Sequence, residues 1–147
     1  NRKSKKNGSR GSLIMIDFGL KLISPEEEHF NGIVDMVVLP GEDGDFAAMP
    51  EHSPIITYLR PGKIDIFEKN VIAFSYFVGN GFVKVDQGSC LVMVDYIKNV
   101  DQLDRKNIEL ELTETLENVD KEENKILKDK LNEKLITLRA QLDFAKS

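Results

Sequence analysis

The sequence predicts a β domain followed by an antiparallel pair of α-helices. Short β-branched and aromatic runs, punctuated by Gly, Pro, Asn and Asp, occupy residues 13–100. From Asp101 to Ser147 there is no proline and no glycine. Over that same stretch the leucines recur at helical spacing.

The runs that read as strands are 16–23, 33–39, 55–58, 63–67, 71–78, 82–86 and 90–96. Turn residues separate them at intervals of about 8–12, the rhythm of a sandwich or barrel. Gly79-Asn80-Gly81 falls between two runs and reads as a hairpin turn. Asp86-Gln87-Gly88 reads as the next turn. Phe82, Lys84 and Asp86 alternate with Val83 and Val85, which predicts one buried and one more polar face.

In the C-terminal third, Ile108, Leu112, Leu116 and Val119 form one apolar stripe. Leu127, Leu131, Leu135, Leu138, Leu142 and Ala145 form a second. The expected break is Asn118-Val119-Asp120-Lys121, with Asp120 as N-cap and Glu123 as its capping-box partner. Two such helices bury each other's stripes, but ordering them offsets much of the gain, so the hairpin is expected to be marginally stable. The organisation is therefore a basic head (1–12), a β domain (13–100) and a helix–loop–helix (101–147).

Composition narrows the function. The chain has 147 residues, enough to bury roughly two-thirds of its extended surface. One cysteine, Cys90, excludes a disulfide framework and a multi-thiolate metal site. No run approaches the roughly 20 apolar residues of a membrane span. Arg2, Lys3, Lys5, Lys6 and Arg10 make the head basic, whereas the rest of the chain is acidic, with a net charge of −5 overall. Nucleic-acid binding needs clustered basic residues on a folded face and is not expected. The head has no apolar period and no signal-like apolar core, so disorder is expected there. It fits a processed natural terminus and an appended remnant equally.

The most distinctive stretch runs from Leu39 to Pro54, a turn-rich segment with three prolines and four carboxylates. It reads either as an acidic loop that docks on a basic partner or as an ordinary solvated loop. Glu42, Asp43 and Asp45 lack the D-x-[DN]-x-[DN]-G spacing of a calcium loop. His52 and Ser53 are adjacent, with no orienting acid or oxyanion hole in view, so His52 reads as structural. Gly79-Asn80-Gly81 lacks the lysine and following helix of a phosphate loop. Cys90, within CLVMV, reads as a small core residue. Lys128, Lys130, Lys134, Arg139 and Lys146 read as a solvated face or as a docking face for acidic groups. No catalytic residue, cofactor or metal is expected.

The string IVDMVVLPGEDGDFAAMPEHSPIITYLRPGKIDI, then FVGNGFVKVDQGSCLVMVD and a leucine-striped helical pair, resembles the ε subunit of bacterial F-type ATP synthases, the counterpart of the mitochondrial δ subunit. The resemblance runs from about Asp17 to the C-terminus. Its most specific element is V-x-x-P-G-x-x-G-x-x-x-x-x-P-x-H-x-P, Val37 to Pro54, followed by Leu59-Arg60-Pro61-Gly62. The resemblance implies a flattened β-sandwich of about ten short strands with a C-terminal helix hairpin. It implies a non-catalytic rotor subunit that binds γ through the sandwich and rests on the polar loops of the c-ring. Many members also inhibit ATP hydrolysis when the hairpin opens and reaches the catalytic α/β subunits.

Carried onto this sequence, Glu42-Asp43-Gly44-Asp45 matches the c-ring loop, with His52 and Pro54 shaping its neighbour. Arg139, with Lys134 beside it on the same helix, matches the basic positions that meet the catalytic subunits. Ala47 and Glu51 stand where glycine is common, which puts the loop geometry in question. Asn107 and Ile108 replace the Arg and Ala of the [IL]-D-x-x-R-A motif in nucleotide-binding members, so ATP binding is not expected. The implied location is the cytoplasmic face of the bacterial inner membrane, peripheral and within the complex, ahead of the mitochondrial inner membrane. A different reading is a free-standing β-sandwich interaction module that dimerises through its helical tail.

Overall fold

The computed structural model describes residues 17–146; the basic head and residue 16 of the first expected run lie outside the described residues. Ten strands come first: β1 (Phe18–Ile23), β2 (Glu28–Val34), β3 (Met36–Gly41), β4 (Gly44–Ala48), β5 (Ile55–Leu59), β6 (Gly62–Glu68), β7 (Val71–Val78), β8 (Gly81–Val85), β9 (Ser89–Val94) and β10 (Ile97–Asn99). A 3-10 turn over Val100–Gln102 leads into α1 (Arg105–Lys121) and α2 (Lys125–Leu142). The strand order is β10-β7-β6-β3-β5-β8-β9-β1-β2, with β4 alongside β3. Every pairing is antiparallel except β1 with β9. The sheet curls until Phe30 of β2 meets Phe74 of β7 edge to face, ring centres 5.5 Å apart.

Alternation places the core. Phe18, Leu20 and Leu22 of β1 point inward, as do Val37 and Leu39 of β3, Ile64 and Ile66 of β6, and Val83 and Val85 of β8. Each such side chain contributes roughly 1.5–3 kcal/mol by leaving water. The expected polar and apolar faces of β8 are both present, and Cys90 is a buried core residue. The expected turn at Asp86–Gly88 closes the β8–β9 hairpin, with the Asp86 amide donating to the Ser89 carbonyl at 2.9 Å.

Four readings of the sequence need correction. The run 33–39 is two strands broken at Asp35, whose amide leaves the ladder to donate to Phe67. β4, β10 and most of β2 were absent from the expected runs, because they are polar, short or glycine-containing. Gly79-Asn80-Gly81 is not a hairpin turn, since β7 pairs with β6 and β10 while β8 pairs with β5 and β9. It is a crossover that needs glycine for close approach: a Cβ on Gly81 would lie 2.0 Å from the Met93 carbonyl oxygen. The helix break lies later than expected. α1 continues through Lys121, and the N-cap of α2 is Asn124, whose side chain accepts from the Leu127 amide at 3.1 Å. Asp120 sits exposed in the last turn of α1 and caps nothing, because α1 ends with the Glu122 amide bonded to Asn118 and Val119.

The helix pair rests on the sheet through a second cluster of Phe77, Leu103, Ile108, Leu138 and Ala145. Phe77 of β7 is its anchor, with Phe144 and Tyr96 at ring separations of 6.3 and 6.1 Å. The stripes are buried only near this seat. Leu135 and Leu138 are buried, whereas Leu116 and Leu127, toward the tip, are 40% and 49% exposed.

Candidate functional site

The acidic stretch folds as a tight hairpin rather than a long loop. β3 and β4 pair from Val37↔Ala48 to Gly41↔Gly44, leaving Glu42-Asp43 as the turn. Gly44 has φ +140°, a conformation that L side chains rarely adopt. Pro40, which reads as a strand breaker, sits where β3 passes from β6, paired up to Val38, to β5, paired at Gly41. No ladder amide is needed at that corner. Glu42, Asp43, Gly44 and Asp45 are all exposed.

The carboxylates differ in their surroundings. Arg60 Nη2 donates to Asp45 Oδ1 at 2.6 Å, and its Nη1 donates to the Gly41 carbonyl. Glu42 and Asp43 have no side-chain partner among the described residues. His52 is brought to the turn indirectly, its ring 6.4 Å from that of Phe46 on β4. Its Nδ1–H donates to the Ser53 carbonyl at 2.6 Å, a structural bond that leaves the Ser53 hydroxyl out of the pair. Glu51, at a position where glycine was expected from the resemblance, has φ +68°. Its amide ties this loop to Gln87 at 2.8 Å.

Beside the turn lies a surface that the sequence reading missed. Register places Tyr58, Phe82, Met93 and Ile23 in one row across β5, β8, β9 and β1. Tyr58 is 66% exposed and Met93 38%. Glu42, Tyr58, Leu59, Asn80, Gly81 and Phe82 line a common open cleft of about 370 Å³. The signal was present in the alternation of IITYL and GFVKV, which sets Tyr58 and Phe82 opposite the buried Leu59 and Val83.

On the hairpin, Arg139 is exposed and forms no ion pair among the described residues. Lys134 is engaged: its Nζ lies 3.0 Å from Glu111 Oε2, joining α2 to α1. Asn107 and Ile108 serve packing and capping, Ile108 buried in the seat and Asn107 bonded through its amide to the N-cap Asp104 at 3.3 Å. Among the described residues no His, Cys, Asp and Glu side chains gather as a metal site, and no helix is long and apolar enough to cross a membrane.

The family model for the β-sandwich domain of the ATP synthase delta/epsilon chain matches residues 17–100. The chain belongs to the ATP synthase delta/epsilon family. It is 30% identical over 133 residues to the ATP synthase epsilon chain of Gluconacetobacter diazotrophicus, covering 89% of this chain and 94% of that one. It is 33% identical over 132 residues to the epsilon chain of Rhodospirillum centenum, covering 86% and 90%. Against the epsilon chain of Rhodospirillum rubrum, identity rises to 43% over 75 residues, 51% of this chain and 56% of that one. A chain in the OSCP/F1/c-ring structure of the Euglena gracilis mitochondrial ATP synthase shares the fold, with TM-score 0.72, 14% identity and 95% of each chain covered. Membership ties the chain to ATP synthesis and proton transport, and the sandwich followed by two helices is the architecture that the resemblance implied.

Proposed function

We propose that the chain is a non-catalytic central-stalk subunit that joins γ to the c-ring and restrains ATP hydrolysis through its helices. The observation that carries this is the shared cleft, where the carboxylate of Glu42, without a side-chain partner among the described residues, lies beside the exposed ring of Tyr58 and the half-buried ring of Phe82. An exposed apolar row is a protein-docking surface, and in this reading γ covers it. The unpaired carboxylates of Glu42 and Asp43 then face the polar loops of the c-ring, with His52 and Phe46 holding the neighbouring loop. In this reading the chain lies peripherally, within the complex, at the cytoplasmic face of a bacterial inner membrane.

The regulatory half of the proposal rests on the helix pair. Its seat is dry but its tip is wet, so the folded-back and opened states differ by few buried side chains. In the opened state Arg139 meets acidic groups on the α/β subunits, and Lys134 joins it once its bond to Glu111 has broken. ATP hydrolysis by the reconstituted enzyme, with the full chain and with a chain lacking residues 101–147, tests this. Faster hydrolysis with the shortened chain supports restraint; an equal rate makes the hairpin a structural brace.

A further inference from the structure

Arg60 touches the acidic hairpin at three points. Its amide donates to the Pro40 carbonyl at 3.0 Å, its Nη1 to the Gly41 carbonyl and its Nη2 to Asp45 Oδ1 at 2.6 Å. These points lie on both sides of Glu42-Asp43. Glu42 is itself tied at the backbone, its amide donating to Tyr58 at 2.9 Å. Gly62, two residues beyond Arg60, packs so closely on Pro40 that a Cβ there would lie 2.9 Å from the ring. One short segment after β5 therefore grips the hairpin from strand to strand.

We propose that Arg60 is a positioning residue for docking: with Asp45 it braces the hairpin, so that Glu42 and Asp43 alone face a basic partner. This rests on the reading that the turn docks on the c-ring. Asp45, the acidic position that the resemblance assigns to the contact, then serves the brace and not the partner. A planar guanidinium suits this work, because its fork reaches a carbonyl and a carboxylate at once.

The brace and a simple charge attraction predict opposite outcomes. Removing Arg60 makes the turn more negative, so attraction alone predicts tighter binding to a basic surface. The brace predicts weaker binding. The test is the affinity of the full chain for detergent-solubilised c-ring, measured across a range of salt concentrations. Arg60→Met is expected to weaken binding about tenfold with its salt dependence unchanged, whereas Glu42→Gln with Asp43→Gln lowers both. Asp45→Asn, which keeps an Oδ1 acceptor for Arg60 Nη2 and removes the charge, is expected to keep most of the affinity. Binding by Arg60→Met that equals or exceeds that of the unaltered chain overturns the role of Arg60 alone. Failure of the unaltered chain to bind overturns the docking reading, and this proposal with it. A loss of affinity with Asp45→Asn as large as that with Glu42→Gln and Asp43→Gln makes Asp45 a contact with the partner and also overturns the brace.

Discussion

Arg105, the first residue of α1, donates from Nη2 to the Leu142 carbonyl at 2.8 Å and to the Ala145 carbonyl at 3.1 Å. The last carbonyls of a helix have no partner of their own and carry its negative dipole end, so a guanidinium there meets both needs. The ends of the two helices are thereby fastened to each other at the sandwich side. Lys146 adds a 3.5 Å ion pair to Asp101. The opposite end of the hairpin, where Leu116 and Leu127 are exposed, is the loose end.

Arg105→Met keeps most of the stem and removes the donors. Charge-assisted bonds at a partly exposed site are expected to contribute about 1 kcal/mol, or roughly a fivefold shift toward opening. Amide exchange across 101–146 should accelerate by that factor, with β1, β8 and β9 unchanged. Equal acceleration in those strands would mean that Arg105 supports the whole fold.

Burial along the helix stripes divides the leucines. Leu135→Ala and Leu138→Ala should each cost about 2–5 kcal/mol of hairpin stability. Leu127→Ala should fall within about 0.5 kcal/mol of the unaltered protein. Helical circular dichroism during melting reads all three, and a Leu127 effect as large as that of Leu138 would contradict the wet tip.

Cys90 is buried in the sandwich, and burial first, with the nearby Asp86 charge second, pushes its thiol up to about 12. Thiol reagents attack the thiolate. The native protein should stay unmodified by a disulfide-exchange reagent at neutral pH and react fully once denatured. Rapid reaction of the folded protein would place Cys90 outside the core.

Asp95, between β9 and β10, has its carboxyl raised above its ordinary value, chiefly by burial, with the Glu133 charge adding to it. Asn80, Glu133 and Ile136 share a hollow with it, and Lys98, Asp104, Glu111 and Lys134 line the adjoining cleft. A raised native pKa means that the folded state holds this proton more tightly than the unfolded chain. Asp95 therefore favours folding at low pH and loses that contribution as pH rises through its native value. Asp95→Asn should be more stable than the unaltered protein at neutral pH. The difference should shrink as pH falls and Asp95 itself becomes protonated. A difference in melting temperature that grows on acidification would reverse the sign.

The fold was legible where burial is one-sided. Val83 and Val85 alternate with Phe82 and Lys84, and the leucine stripes name the buried Leu135 and Leu138. It was illegible where glycine serves approach instead of turning, as at Gly81, and where two strands abut without a polar break beyond Asp35. The acidic turn was visible as composition, but its internal bonding was not. Nothing in sequence spacing shows that Arg60, 15 residues on, holds Asp45 while Glu42 and Asp43 have no side-chain partner among the described residues.

The most direct measurement is co-sedimentation of the full chain with purified γ and, separately, with solubilised c-ring. Tyr58→Asp should lose γ and keep the c-ring, whereas Glu42→Ser with Asp43→Ser should lose the c-ring and keep γ. Both variants should melt within a few degrees of the unaltered protein, since exposed side chains contribute about 0.5 kcal/mol or less. Retention of both partners by both folded variants would contradict the assignment of this cleft to docking.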